Sequence, residues 1–492
     1  MAFKLLIKNK FISSIIGTLS VYFGIAFILP LNTFSVNITS YIHYKDNYVT
    51  MHYGLFIYLI FGLASSFSSS LGGYFENLFG FFQTIIIGFS ILFISNFFFI
   101  FQRNIWLCYV LSFILGIGAG ISISLIGKNL TLYCPNKKGI LFGTLGIGIM
   151  IITAIFALGG EKLINFEGET LKEDQNFYNE KIAKKTYLYF LIGEFFIPIG
   201  LIFGLLLIYE YKPEENLTKE NENIVVEKKE ETKEKDKLKE KNLRKKTKQN
   251  IKQALKTIKY WRITLISFLI KIAISFMINT GRTFGALIGI NGSALQFAGM
   301  IQVLSVLMIG PCLGFLVDKK GPLLILRISS IINIIPGILL ALFMSNSFIF
   351  ISSLVLYILN LTGFMVSFGP FIMEVYGIHE SVILGGIING FSKIADIITT
   401  VSAFSFSLVC ADAKDESGEN DEKGCLKKRY KYMYFISAIC CLISALLLFF
   451  EKKEKFKYEK IAFDLLDSQN DNKNGEENQN ENKVLYFNLD EF

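Results

Sequence analysis

The chain is poor in the residues that build metal, redox and nucleophilic sites. Its 492 residues include only three histidines and seven cysteines, with no Cys-x-x-Cys pair and no Cys/His cluster. These counts argue against the common zinc and thiol–disulfide sites. The sequence also lacks a Gly-x-x-x-x-Gly-Lys-Ser/Thr loop, the signature of many nucleotide-driven pumps. We therefore expect no enzyme activity, no cofactor, no metal site and no nucleic-acid partner.

Apolar residues dominate the rest of the sequence. They make up 52% of the chain, which contains 48 phenylalanines. A bilayer core requires about 20 apolar residues per helix, so this content supplies roughly a dozen spans. The sequence predicts an all-α integral membrane protein. The predicted spans lie at about 11–40, 52–75, 81–102, 105–128, 139–161, 186–209, 262–287, 295–317, 321–344, 348–373, 382–409 and 431–450.

Basic residues in the short loops predict how the chain is oriented. Lysine pairs at 137–138 and 319–320 and a cluster at 452–457 fall on one side, together with the N-terminus and the long central loop. By the positive-inside rule this side is the cytosol. We expect a multi-pass protein of the plasma membrane or an organelle membrane, with both termini cytosolic and the first span retained as a helix.

Two spacings occur twice. The pattern Gly-x-x-x-Asx-x-x-Gly appears as Gly73, Asn77 and Gly80, and again as Gly314, Asp318 and Gly321. Further along, residues 134–143 match 376–385, with a glycine at the end of each stretch. The chain is therefore two related halves, an architecture typical of secondary transporters with a site between the halves.

The duplication defines the predicted domains. Residues 1–211 form the first six-helix bundle and residues 261–452 the second. The charged, low-complexity stretch 212–260 forms a cytosolic linker, and residues 453–492 form a disordered tail. At the end of the linker, apolar residues recur at helical spacing among lysines. This pattern indicates either a basic helix lying on anionic headgroups or a cytosolic extension of the seventh span.

The paired glycine turns resemble the signature loops of the major facilitator superfamily. The resemblance implies a bundle of about twelve helices in two pseudo-symmetric halves, in which these loops gate one side of the transporter. In the first copy Asn77 stands where the family usually has aspartate. Charge-based gating is therefore better supported around Asp318, because a carboxylate stabilises the N-terminus of a neighbouring helix.

Glycines and a turn in the first half narrow the resemblance to one group of carriers within this superfamily. The stretch 116–120, rich in glycine, leads into the Pro-Asn-Lys-Lys-Gly turn at 135–139. Together with 30–36 and 389–393, these residues resemble monocarboxylate porters and oxalate:formate antiporter-like carriers. In that family a lysine of the eleventh span contacts the anionic substrate, and Lys393 is the matching residue here.

Charged residues inside spans are candidate site residues because each costs about 2.5–3.5 kcal/mol to insert. Lys393 and Asp396 share a helix face, so the acid can neutralise the lysine and take up a proton when an anion binds. Lys271 and Arg282 also share a face and predict a cationic lining for substrate. Glu194 is a second candidate proton site or a partner for a cation.

Other interpretations of these charges stay open. Lys393 and Asp396 can form a purely structural ion pair, and Arg282 can extend to the headgroups. The eighth-span stretch 308–314 lacks the arginine with which the family commonly anchors a second carboxylate.

The sequence therefore predicts a monomeric, proton-coupled carrier of a small monocarboxylate in membrane lipid. The alternatives are a carrier of amino acids, neutral nutrients or drugs, and a non-transporting receptor. Cys410 and Cys425 flank an acidic outer loop and can pair in an oxidising space. A buried, inert Cys410 is the alternative, and the sequence leaves the two open.

Overall fold

Helices account for nearly all of the residues that the computed structural model describes, which are 10–46, 48–49, 52–166, 178–211, 247–287, 308–410 and 422–451. No strand occurs in these ranges. The first half contains α1 (Lys10–Ala26), α2 (Leu31–His43), α3 (His52–Phe79), α4 (Phe81–Phe99), α5 (Ile105–Tyr133), α6 (Lys138–Ile164), α7 (Glu180–Ala183) and α8 (Thr186–Leu207). The second half contains α9 (247–255), α10 (Ile258–Leu287), α11 (308–320), α12 (Pro322–Phe343), α13 (Ser347–Tyr376), α14 (Ile378–Cys410) and α15 (Glu422–Phe449).

The helices confirm the predicted all-α membrane fold. Ten of them are long and apolar enough to cross a bilayer within the described ranges. Two further predicted spans complete the dozen: the first, which is divided between α1 and α2, and the eighth, which the structure describes only from residue 308. Large apolar side chains such as Trp106, Leu158 and Phe449 are more than 60% exposed, as expected for surfaces that contact lipid.

The first predicted span, 11–40, is wrong as a single helix. It is interrupted between α1 and α2, where Pro30 precedes the first residue of α2. Proline has no N–H to donate, and its ring disfavours the helical conformation of the residue before it. The carbonyl of Phe27, freed by the break, accepts a hydrogen bond from the Tyr189 hydroxyl on α8.

The two halves repeat the same helix contacts. In the first half α4 packs on α5 and α8, and α1 packs on α8. The equivalent contacts in the second half are α12 with α13 and α15, and α10 with α15. Residues Met1–Lys453 form one compact unit, so the proposed bundle limits at 211 and 261 remain predictions. The linker stretch 212–246 and the tail 453–492 lie outside the described residues.

The halves meet mainly through α3 on α14, with smaller contacts of α6 on α13 and of α5 on α14. Glycines allow these helices to approach closely, as is common between membrane helices. A Cβ placed on Gly386 would lie 2.5 Å from the backbone nitrogen of Ser70. A Cβ on Gly143 would lie 2.7 Å from the carbonyl oxygen of Gly310 on α11.

A disulfide between Cys410 and Cys425 joins the end of α14 to the start of α15, with their Cα atoms 5.6 Å apart. The structure thus has the bridge that the sequence left open. The intervening loop, 411–421, lies outside the described residues.

Candidate functional site

An ion pair lies near the middle of α14. The Lys393 ammonium nitrogen is 2.7 Å from Oδ2 of Asp396. The two residues are three apart on a helix, which places both side chains on one face. Their side chains are 24% and 10% exposed, so the pair is largely shielded but accessible. The structure therefore brings together the first two predicted site residues.

Helix α10 supplies the second side of this group. The Ser275 hydroxyl donates to Oδ1 of Asp396, so both carboxylate oxygens are engaged. Lys271 lies one turn before Ser275 and is within electrostatic reach of both Asp396 and Lys393. One carboxylate therefore forms an ion pair with one ammonium group and lies within electrostatic reach of a second. We define Lys271, Ser275, Lys393 and Asp396 as the charged cluster.

Helix α3 of the other half supplies the third side. The Lys393 ammonium nitrogen lies 6.0 Å from the ring centroid of Tyr58, within cation–π range. A Cβ on Gly62, one turn further along α3, would lie 3.4 Å from the same nitrogen. The side chain of Lys393 thus reaches from the second half to the first, and the charged cluster lies between the halves.

A hydrogen bond holds the two helices of the cluster in register. The Ser267 and Ser392 hydroxyl oxygens are 2.6 Å apart, and both residues are buried. Ser392 is next to Lys393 in the chain, so this contact constrains the helix turn that carries the ammonium group.

Sequence reasoning missed Tyr58 and Ser275. The only sequence signal for Ser275 is its position four residues after Lys271, which puts both on one helix face. Tyr58 has no comparable local signal, because only the packing of α3 on α14 brings it to Lys393.

Arg282 and Glu194 are the remaining predicted site residues. The backbone of Arg282 belongs to α10, but its side chain lies outside the described residues. Glu194 is elsewhere: its Oε1 accepts a hydrogen bond of 2.5 Å from the Asn96 amide, which also donates to the Phe190 carbonyl at 2.8 Å. That contact joins α8 to α4, and neither helix contributes to the charged cluster.

The second glycine turn forms a hydrogen-bonded contact between the halves. Asp318 accepts from the backbone N–H of Gly139 at 2.6 Å and of Ile140 at 2.9 Å. These N–H groups belong to the first turn of α6, where no intrahelical acceptor exists. Gly314 lies against Gly139, where a side chain on either residue would clash. Asp318 therefore caps a helix of the opposite half.

The first glycine turn is arranged differently. Glu76 forms an ion pair with Lys128 on α5 at 2.7 Å, within its own half. The Asn77 side chain makes no hydrogen bond among the described residues. Gly73 instead packs on the apolar side chains of Val382 and Ile383 at the start of α14.

The described residues contain no group of three or more His, Cys, Asp or Glu side chains arranged to hold a metal ion. The chemistry of the charged cluster is that of two ammonium donors, one carboxylate, one hydroxyl and one aromatic face. Such a group can bind an anion and exchange a proton, without covalent chemistry.

Solved structures share this fold. The proton:xylose symporter XylE, bound to 6-bromo-6-deoxy-D-glucose, superposes with a TM-score of 0.60 at 16% identity, over 90% of this chain and 96% of its own. The Escherichia coli fucose:proton symporter FucP gives 0.59 at 14% identity, over 91% and 100%. The human organic anion transporter MFSD10 gives 0.60 at 11% identity, over 88% and 98%. At these identities the similarity shows the fold alone.

No curated protein matches the chain in sequence. The family description "Major Facilitator Superfamily" matches residues 11–400, which is well over half of the chain. With its helical membrane fold and repeated halves, the protein belongs to the Major Facilitator Superfamily of membrane transporters.

Proposed function

We propose that the protein is a proton-coupled carrier of small monocarboxylates that works by alternating access. The observation that carries the proposal is the Lys393–Asp396 pair, which lies between the halves and is 2.7 Å long. An anion that enters between the halves meets an ammonium group already held by an exchangeable carboxylate. Lys271 and the side chain of Arg282 are proposed to extend the cationic lining.

Charge balance links anion binding to a proton. Lys271, Lys393 and Asp396 together carry one net positive charge when the site is empty. Binding one anion and protonating Asp396 restores the same net charge. Without the proton, the anion would have to displace an ionised Asp396, and leaving a charge unpaired in a low-dielectric site costs about 3–5 kcal/mol. Symport of one anion with one proton therefore avoids the unpaired charge.

The charge balance of the cluster supports a monocarboxylate. Each proton taken up by Asp396 lets the cluster accept one negative charge with its net charge unchanged, which suits one carboxylate better than two. The stretch 308–314 offers no arginine for a second carboxylate. Among the structural neighbours, XylE and FucP are proton symporters and MFSD10 is an organic anion transporter, which agrees with proton coupling and with an anionic substrate.

Asp396 is the proposed proton site, and Glu194 remains a second prediction for that role. The two glycine turns are proposed to gate the side of the protein that faces the linker between the halves, called the linker side. They are the loops around Gly73, Asn77 and Gly80 and around Gly314, Asp318 and Gly321. From the loop lysines we infer that this side and both termini are cytosolic, in the plasma membrane or an organelle membrane. The carrier is proposed to act as a monomer.

An amino-acid carrier is the second candidate. It is favoured by the same pair, because adjacent ammonium and carboxylate groups match the two charges of a zwitterion. If an anion binds at Lys393 alone, the substrates should be monocarboxylates. If a zwitterion binds at both residues, the substrates should be amino acids. Neutral nutrients, drugs and a receptor without transport are the remaining candidates.

Uptake by purified protein in liposomes tests the proposal. We expect labelled lactate, pyruvate or formate to accumulate when the outside is more acidic than the inside. Lys393→Ala should lower the ratio of maximal rate to half-saturating concentration by about 30-fold or more, since loss of a buried charged partner costs roughly 2 kcal/mol or more. Lys393→Arg, which keeps the charge, is the matched control and should retain more uptake.

Several results would count against the proposal. Uptake of amino acids but not of monocarboxylates would favour the second candidate. Unchanged kinetics in a folded Lys393→Ala protein would remove this residue from the binding site. A substrate that binds without uptake would indicate a receptor.

A further inference from the structure

Positive charge is concentrated just before the seventh span. Residues 241–262 contain nine lysine and arginine residues and no aspartate or glutamate. The structure describes this stretch from residue 247, as α9 and the start of α10. This described part runs directly into a candidate membrane span that begins at Ile258.

Two of these cations are already paired. Lys259 lies 3.6 Å from Glu451, and Arg262 forms a second ion pair with the same carboxylate. The Glu451 side chain is 1% exposed. These two cations therefore stabilise the contact between α10 and the end of α15, and they are not available to a ligand.

Three other lysines are differently placed. Lys248, Lys252 and Lys256 recur every four residues and are exposed, so they form one face of α9 and the turn after it. None of them makes an ion pair among the described residues. We call these three residues the lysine face.

The opposite side of α9 is docked on the protein. Thr247 and Ala254 are buried, and the Asn250 amide donates a hydrogen bond of 3.0 Å to Glu380 in the first turn of α14. This docking fixes which side of α9 points outward. The lysine face is therefore presented by the fold, and it is not simply a disordered basic segment.

Neighbouring residues mark the edge of the bilayer. Ile258 is 86% exposed and Trp261 is 47% exposed, at the start of α10. The Trp261 indole donates to the Leu255 carbonyl at 2.9 Å, which holds the ring beside α9. An exposed tryptophan at the start of a span is typical of the membrane–water interface. At 1.5 Å per helical residue, Lys256 is within about 10 Å of this level.

We propose that the lysine face binds anionic phospholipid headgroups of the leaflet on the linker side. Lysines close to such a surface are attracted to it, and three together give a preference on the order of 100-fold at low salt. The attraction should weaken as salt rises, because exposed charges are screened. The proposal does not depend on the transported substrate.

The chain offers its own reporter, since it contains only two tryptophans, Trp106 and Trp261. In the full-length W106F protein, Trp261 alone reports on lipid beside α9. We would reconstitute it in phosphatidylcholine vesicles with increasing brominated phosphatidylserine and measure quenching against brominated phosphatidylcholine. We expect stronger quenching by phosphatidylserine, and a 10- to 100-fold loss of that preference in the triple variant K248Q/K252Q/K256Q.

Matched controls separate charge from folding. K248R/K252R/K256R keeps the charge and should keep the preference. K181Q/K184Q/K185Q, which removes three lysines in and after α7, should also leave it unchanged. In the W261F protein, Trp106 reports on the other end of the bundle and should show no comparable preference. Equal quenching by the two lipids in the W106F protein, or a full preference in K248Q/K252Q/K256Q, would overturn the proposal.

Discussion

The two glycine turns share a backbone geometry. Gly80 and Gly321, the last residues of the two motifs, have φ angles of 90° and 91°. Each donates its N–H to the carbonyl four residues earlier, at 2.9 Å to Glu76 and 2.8 Å to Val317. With ψ angles of 169° and 149°, both occupy a region that is essentially restricted to glycine. Each turn therefore ends one helix and starts the next in the same way.

The carboxylates of the two turns make different contacts. Asp318 hydrogen-bonds to the first turn of α6 in the other half, whereas Glu76 pairs with Lys128 in its own half. On the α3–α14 side, Gly73 meets the apolar side chains of Val382 and Ile383. The turn geometry is thus the same in both copies. Among the described residues, the polar contact between the halves occurs in the second copy. The contacts that the two turns make between the halves are therefore asymmetric.

Of the substitutions in the two turns, replacement of Asp318 should change the contact between the halves most. Asp318→Ala deletes two hydrogen bonds to a charged acceptor, each contributing about 1.5–3 kcal/mol. We expect the ratio of closed to open linker side to fall on the order of 100-fold or more. Spin labels at the exposed residues Asn136 and Lys320 would measure this ratio as a distribution of distances by electron resonance.

Asp318→Asn is the control, because it retains one acceptor oxygen and should give a smaller shift. An unchanged distance distribution in a folded Asp318→Ala protein would show that the contact does not determine closure.

Substitution of Gly80 and Gly321 tests whether the two turns depend equally on their shared backbone conformation. Gly80→Ala and Gly321→Ala should each lower the free energy of unfolding by about 1–3 kcal/mol, because both force an L side chain into a region restricted to glycine. Gly159→Ala is the control: no atom lies within 4 Å of its added Cβ, and the change favours the helix. Chemical unfolding in detergent would measure the three values. A large loss in only one of the two turns would refute their equivalence.

Adding a carboxylate to the first turn should have the smallest effect. Asn77→Asp introduces the charge that the second turn has, one helix turn after Gly73, which packs on the beginning of α14. A favourable interaction with that helix N-terminus is about 0.3–1 kcal/mol, so closure should increase two- to five-fold. The labels at Asn136 and Lys320 would again report it, with Asn77→Ala as the neutral control. A shift toward the open form would mean that repulsion from Glu76 prevails.

The sequence predicted the parts that depend on local spacing. Long apolar runs predicted the helices, and a separation of three residues predicted that Lys393 and Asp396 share a face. The break at Pro30 was missed because the apolar run continues on both sides of the proline. Tyr58 and Ser275 reach the ion pair only through packing between distant helices, which no local pattern encodes. For the same reason, the contact of Glu194 with Asn96 could not be predicted.

The proposed exchange of Asp396 for an anion at Lys393 has a direct electrical test. Proton entry, substrate entry and current can be measured together in liposomes that contain a pH-sensitive dye, with the membrane potential clamped by potassium and valinomycin. One proton should enter with each monocarboxylate, and the rate should not change with the potential. Asp396→Asn should remove the response to a pH gradient, whereas Glu194→Gln should keep it. Monocarboxylate entry without protons, or with net movement of charge, would contradict the mechanism.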